Sequence, residues 1–225
     1  MCWNKEVSFL TFGLGTVLNL LCGAFFLRRG LYVPAVLLIG WQYGLLMQLP
    51  EGAAWIDIEA GKVPTTPSRV AMILNVTQPI AMFVSVTLAN LYGSGGGIRQ
   101  RNWFVAPIRS RGMIALSMYL LLLIGDSDEL WQSSDDITPE ENCSTLDLRW
   151  WNSSRTILYV VGSVIVLSDI DDFVWRVTNV AIFVASLLIA FHNFPCGLGS
   201  LWCWIISMSA LVFLVVQYLR EITSW

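Results

Sequence analysis

The sequence predicts an all-α integral membrane protein, a single domain over residues 1–225 with seven transmembrane helices, the N-terminus outside and the C-terminus cytoplasmic. Three observations predict it. Apolar residues make up 56% of the chain and charged residues 13%, against roughly 25% charged in soluble domains. Long apolar runs recur from end to end. The basic residues between those runs fall mostly on one side, as the positive-inside rule requires.

The spans are expected at about 7–27, 31–49, 69–92, 112–131, 148–168, 174–192 and 200–219. Five of the underlying apolar runs can cross a hydrocarbon layer of about 30 Å at roughly 1.5 Å per residue. The fourth and fifth runs are shorter. They reach span length only by extending into polar sequence, to about Trp131 and back to about Leu148. That extension sets Asp126, Asp128 and Glu129 on one rim and Arg149 and Arg155 on the facing one, where opposite charges can pair. The first run is not read as a signal peptide, because Arg28 and Arg29 follow it and no small-x-small cleavage site does.

With the N-terminus outside, eight basic and four acidic residues face the cytoplasm, while five basic and twelve acidic residues face outward. The sequons at Asn142 and Asn152 then lie outside, where glycosylation is available, and the one at Asn75 lies inside a span. The GSGGG stretch at 93–97 is a flexible linker among arginines that orient the chain. No internal repeat is visible.

Polar residues within the spans are few and patterned. On the first helix Ser8, Thr11, Gly15, Asn19 and Cys22 recur at spacings of three and four, so they form one stripe. Such a stripe serves close helix packing, or lines a polar path. On the second helix Trp41, Gly44, Gln48, Glu51 and Trp55 share a face, and Pro50 predicts a kink. Gln42 points elsewhere. On the third, Asn75 and Gln78 lie one turn apart beside Pro79. Glu51 is placed near the outer boundary, as part of a polar cap in the outer half of the bundle. Unpaired amides there are costly, so these groups bond each other, freed backbone or a ligand.

The candidate ligand-binding residues are therefore Gln48, Glu51, Trp55, Asn75, Gln78 and His192, in a pocket between the first, second, third and seventh helices. His192 is the only histidine and ends the sixth span. Cys2 and Cys196 lie on the same outer side, where an oxidising exterior permits a disulfide. Cys143 is a rival partner for either, and a metal on Cys2, His192, Cys196 and Glu51 is a further arrangement left open. No metal site is assigned. The many tryptophans cluster near span ends as an interfacial belt.

Several functions are excluded. The only two lysines, Lys5 and Lys62, lie outside the spans, so no retinal can be held as a Schiff base and no cofactor is expected. One histidine cannot build a multi-histidine zinc site. GxSxG, Walker and GxGxxG patterns are missing, as is a basic stripe for nucleic acid, so the chain is read as neither an enzyme nor a nucleic-acid binder.

MCWNKEVSFLTF at 1–12, WQYGLLMQLPEGAAW at 41–55, QPI at 78–80 and FPCGLGSLWCW at 194–204 together resemble a family of polytopic, seven-span membrane proteins associated with giant DNA viruses and protists, with an MCWN-x-x-VS start. The family's MQL-x-E-x-x-x-W pattern falls here on Met47, Gln48, Leu49, Glu51 and Trp55. Where relatives read GHL, this chain has Gly199, Ser200 and Leu201. The resemblance implies a membrane location and a viral or protist setting, with no assigned activity.

The expected partners are the lipid bilayer and a small molecule or ion. The leading expectation is a small-solute or ion transporter or channel-like protein. A receptor-like sensor without retinal and a structural or assembly protein of a viral or host membrane are the alternatives.

Overall fold

The computed structural model describes residues 4–93, 111–134, 153–192 and 198–223. Among the described residues every regular element is a helix: α1 Lys5–Arg28, α2 Tyr32–Leu46, α3 Gln48–Glu59, α4 Thr65–Val76, α5 Gln78–Gly93, α6 Arg111–Gly125, α7 Ser127–Ser134, α8 Ser153–Ser168, α9 Phe173–His192 and α10 Leu198–Thr223. Cys2, Cys143, Cys196, Asn142 and Asn152 lie outside the described residues, as do Arg99, Arg101 and Arg109.

Three described stretches are long and apolar enough to cross a membrane: Lys5–Arg28, Tyr32–Glu59 and Ile205–Thr223. The α4–α5 pair, bent by 40°, makes a fourth when taken as one broken span. α6, α8 and α9 contribute shorter apolar stretches.

Local chemistry explains where the helices start and stop. The Asn4 side chain accepts from Val7 N at 2.8 Å and caps α1. At the other end Gly30 takes φ +71°, a left-handed conformation that glycine adopts freely, and Leu31 N closes back on Phe26 O at 2.9 Å. α2 and α3 form one apolar path interrupted only at Met47. The sequence predicts the kink at Pro50; the break falls three residues earlier. Pro50 has no N–H for the Leu46 carbonyl, and its ring crowds the turn before it, so the ladder opens upstream of the proline. Pro79 acts the same way on the α4–α5 pair, which breaks at Thr77.

α2 is the central helix, touching α1, α4, α5 and α10, while α8 packs between α5, α6 and α9. Phe26, Trp41, Leu45, Trp175, Phe183 and Phe213 fill the core, with Trp175 and Phe213 rings 5.0 Å apart. The buried residues of α1 are Ser8, Thr11, Gly15, Asn19, Cys22 and Phe26, which is the stripe read from the sequence extended by one turn. Small residues set the closest approaches. A Cβ on Gly15 would lie 2.9 Å from Ser207 of α10, and one on Gly40 would lie 2.7 Å from Ser85 Oγ of α5.

Charged groups pair at the two ends of the bundle. Lys5 of α1 pairs with Glu59 of α3 at one end, and Arg155 of α8 with Asp126 and Glu129 at the same end. At the opposite end Arg29 reaches Glu221 at 2.9 Å and Arg220 reaches Asp172 at 2.9 Å. The α8–α9 turn is held there too: Asn90 Nδ2 donates to Asp169 O at 2.7 Å, and Gly112 N donates to Asp169 Oδ2 at 2.6 Å. Between these ends the outward faces are apolar, with Leu20, Leu21, Leu121, Ile124 and Leu188 exposed.

Candidate functional site

The two helix breaks lie side by side; of the amides predicted from the sequence, Gln48 and Gln78 follow them directly and Asn75 lies just before the second. Gln48 is the first residue of α3 and Gln78 the first of α5. Gln78 Nε2 donates to Met47 Sδ at 3.8 Å, so each break touches the other. One turn before the first break, the Tyr43 hydroxyl meets Thr77 Oγ1 of the second at 2.6 Å. Ile80 N bonds Thr77 O at 3.1 Å, and the Val76 carbonyl takes the Tyr119 hydroxyl of α6 at 2.9 Å. The backbone opened by Pro79 is thus satisfied from a neighbouring helix, as buried polar groups require.

Gln48, Glu51, Asn75 and Gln78 are all buried, and Glu51 has 0% of its surface exposed. The Thr11 hydroxyl of α1 donates to Gln48 Oε1, and the Tyr159 hydroxyl of α8 donates to Gln78 Oε1. Ser8 and Ser68 are buried as well. Enclosed groups of this polarity cost several kcal/mol apiece in a fully apolar medium unless hydrogen-bonded, by the usual transfer scales of about 4–8 kcal/mol. The layer therefore assembles only where several helices supply polar groups together.

Glu51 lies inside α3, which continues two turns beyond it to Glu59, and its side chain is fully buried. Gly52, Ala53 and Ala54 carry that continuation, and Gly52 lets the Phe9 ring of α1 lie against the backbone, where a Cβ would meet it at 2.7 Å. Trp55 lies farther along α3 and is half-buried. The side chain of His192, last residue of α9, is outside the described residues.

α10, the seventh apolar run, packs on α1, α2 and α9, and Gly15 meets Ser207 there. Two tyrosines reach the second break as well: Tyr159 of α8 donates to Gln78 Oε1, and Tyr119 of α6 donates to the Val76 carbonyl. Gln42 accepts from Asn19 Nδ2 at 2.9 Å and donates to Thr16 Oγ1 at 3.0 Å, gripping α1 at a second level. A third polar contact lies in the core, where Trp41 Nε1 donates to Asn179 Oδ1 at 2.8 Å. Beside it Leu37, Gly40, Met82, Ser85, Val86 and Leu167 line a cavity with room for about one water molecule.

Chemically, the layer offers one carboxyl group, three primary amides and several hydroxyls on two broken helices. Such a set exchanges hydrogen bonds with a small polar solute or supplies oxygen ligands to a cation. Among the described residues no group of three or more His, Cys, Asp and Glu side chains could hold a metal ion. In comparisons with protein-family models, curated proteins and solved structures, nothing matches this chain.

Proposed function

We propose that this protein is a seven-span integral membrane protein, N-terminus outside and C-terminus cytoplasmic, that passes a small solute or ion through the polar layer at its broken helices. α1, α2–α3, α4–α5, α6–α7, α8, α9 and α10 are the seven spans. The charge asymmetry of the sequence supports this orientation, and the pairing of helix ends supports the alternation of directions.

The observation that carries the reading is the complete burial of Glu51 beside two proline-broken helices. An ionisable side chain inside a membrane bundle is expensive and marks a functional path by default. Discontinuous helices carry solute and ion sites in transporters, where irregular backbone is tolerated because it lines a site.

The test is flux in reconstituted vesicles, read with entrapped dyes for protons, sodium and potassium. The wild type dissipates at least one of these gradients, and Glu51→Gln abolishes that flux while its expression and melting temperature stay unchanged. Flux at the wild-type level in Glu51→Gln removes the role from this residue.

A structural reading is favoured by the Thr11–Gln48 and Tyr159–Gln78 hydrogen bonds, which tie α1 to α3 and α8 to α5. On that reading the wild type moves no ion and Glu51→Gln lowers the melting temperature.

A further inference from the structure

We infer that α7 is a hinged lid over this polar layer, latched shut by Arg155. The inference assigns a regulation to the site proposed above and borrows that reading only for the lid's purpose.

α7 is separated from α6 by one residue, Asp126, and the residue before it is Gly125. Gly125 is exposed, and a Cβ there would meet nothing within 4 Å. Glycine followed by a short-side-chain residue is a permissive pivot. Asp126 carries the turn between the two helices: its N–H donates to Leu122 O at 2.9 Å and its carbonyl accepts from Leu130 N at 3.0 Å.

What holds α7 in place comes from other helices. Its buried apolar side chain, Leu130, belongs to one apolar cluster with Met47, Ala54, Ala71, Met72 and Val76, and α7 packs on α4. Met47 is the break residue of α2–α3 and accepts from Gln78, while Val76 is the last residue of α4 before the second break. Leu130 is therefore the plug by which α7 completes the apolar cluster that holds both break-flanking residues, and moving α7 withdraws it from that cluster.

The latch is electrostatic. Arg155 Nε donates to Asp126 Oδ2 at 3.2 Å, and Arg155 Nη2 lies 3.2 Å from Glu129 Oε2. The Arg155 side chain is 1% exposed, against 33% for Asp126 and 65% for Glu129. The arginine thus belongs to the wall of the bundle and the two carboxylates arrive from the solvent side. Swinging α7 outward returns two carboxylates to water but takes two counter-charges from a buried guanidinium, a cost that keeps the lid shut until the carboxylates are neutralised. The arginine of α4 adds a weaker tie, with the Arg69 guanidinium 5.6 Å from the Trp131 ring centre.

The experiment uses the full chain in lipid nanodiscs, with a reporter cysteine at Ala54 beneath the plug. Labelling by a charged maleimide is followed residue by residue by peptide mass spectrometry. The native Cys22, buried to 3% exposure in the core of the bundle, is the internal control. Asp126→Asn combined with Glu129→Gln speeds labelling at the reporter by about tenfold or more, as an opening equilibrium shifted by about 1.4 kcal/mol would. Leu130→Ala removes the plug without touching a charge and speeds it in the same direction. Cys22 stays unlabelled in both. A reporter at Ala71 on α4 repeats the measurement should the α3 variant fail to fold.

Unchanged labelling in both variants overturns the lid. Equal acceleration at Cys22 overturns it too, since the ion pairs would then only hold the bundle together. Flux is not part of this readout: loss of the solute reading leaves an observed lid motion standing, and a lid that never opens leaves the solute reading to its own test.

Discussion

The hydroxyl of Tyr159 on α8 donates to the side-chain carbonyl of Gln78, the first residue after the α4–α5 break. Both residues are buried, and the amide's other end reaches Met47 at the neighbouring break. Tyr159→Phe keeps the ring and its packing against Phe183, whose centroid lies 6.2 Å away, but leaves Gln78 Oε1 without this donor. Stranding a buried acceptor costs about 1–3 kcal/mol. Interhelix hydrogen bonds in membranes measure nearer 0.6 kcal/mol on average, with about 1.7 at the high end. A loss of about 1 kcal/mol in denaturant unfolding of Tyr159→Phe is expected, largely recovered when Gln78→Leu is added. An undiminished stability in the single variant would mean that the bond carries nothing.

Gly40 gives a prediction of a different kind. A methyl group there would sit 2.7 Å from Ser85 Oγ, and that hydroxyl is already committed to Ala81 O at 2.8 Å. Gly40→Ala therefore overpacks the α2–α5 crossing, at a cost of roughly 1–3 kcal/mol. Gly13 of α1 provides the contrast, because a Cβ there meets nothing within 4 Å. Gly13→Ala is neutral or slightly stabilising, since alanine is the better helix former by roughly 1 kcal/mol. Adding Ser85→Gly to Gly40→Ala restores most of the melting temperature, and the double variant failing to recover would place the strain elsewhere.

Much of this architecture is legible from the sequence for a simple reason. On α1 the few polar and small residues fall on a single period, so the buried stripe from Ser8 to Cys22 can be read without knowing its partners. The facing charges Asp126, Glu129 and Arg155 are legible too, because in apolar surroundings few alternatives are available for pairing. Glu51 is harder. It stands at the end of an apolar run, which looks like an edge, and the small residues after it do not announce that the helix continues to Glu59 or that the carboxyl group is buried. Tyr159 and Gln78 are 81 residues apart and Tyr119 is 43 from Val76, so no local pattern joins them. A tyrosine in an apolar run reads as an interfacial belt residue, and its role appears only when the broken helix beside it is seen.

The ion pairs at the two ends predict opposite responses to pH. Glu221 at the end of α10 receives a hydrogen bond from Gln217 at 3.2 Å and pairs with Arg29, and these hold its carboxyl below the usual value of 4.5. A group whose pKa is lower when folded stabilises above its unfolded pKa and loses that contribution as pH falls through the folded value. Lys5 is the reverse case: its hydrogen bond and charge contact with Glu59 raise the ammonium above 10.5, so its contribution is full below 10.5 and fades as pH climbs through the raised value. Both sites are exposed to solvent, so the effects are small and salt-sensitive. Glu221→Gln should melt slightly below the wild type at pH 7, with the gap closing as pH drops well under 4.5. Lys5→Met should show the same small deficit at pH 7 and hold it into the alkaline range, losing it in strong alkali above 10.5. In about 1 M salt both gaps shrink, because charges there are screened within roughly 3 Å. Melting curves of the two variants across pH, at low and high salt, check the signs directly, and a Glu221→Gln deficit that persists in acid would mean that Arg29 is not what the carboxylate serves.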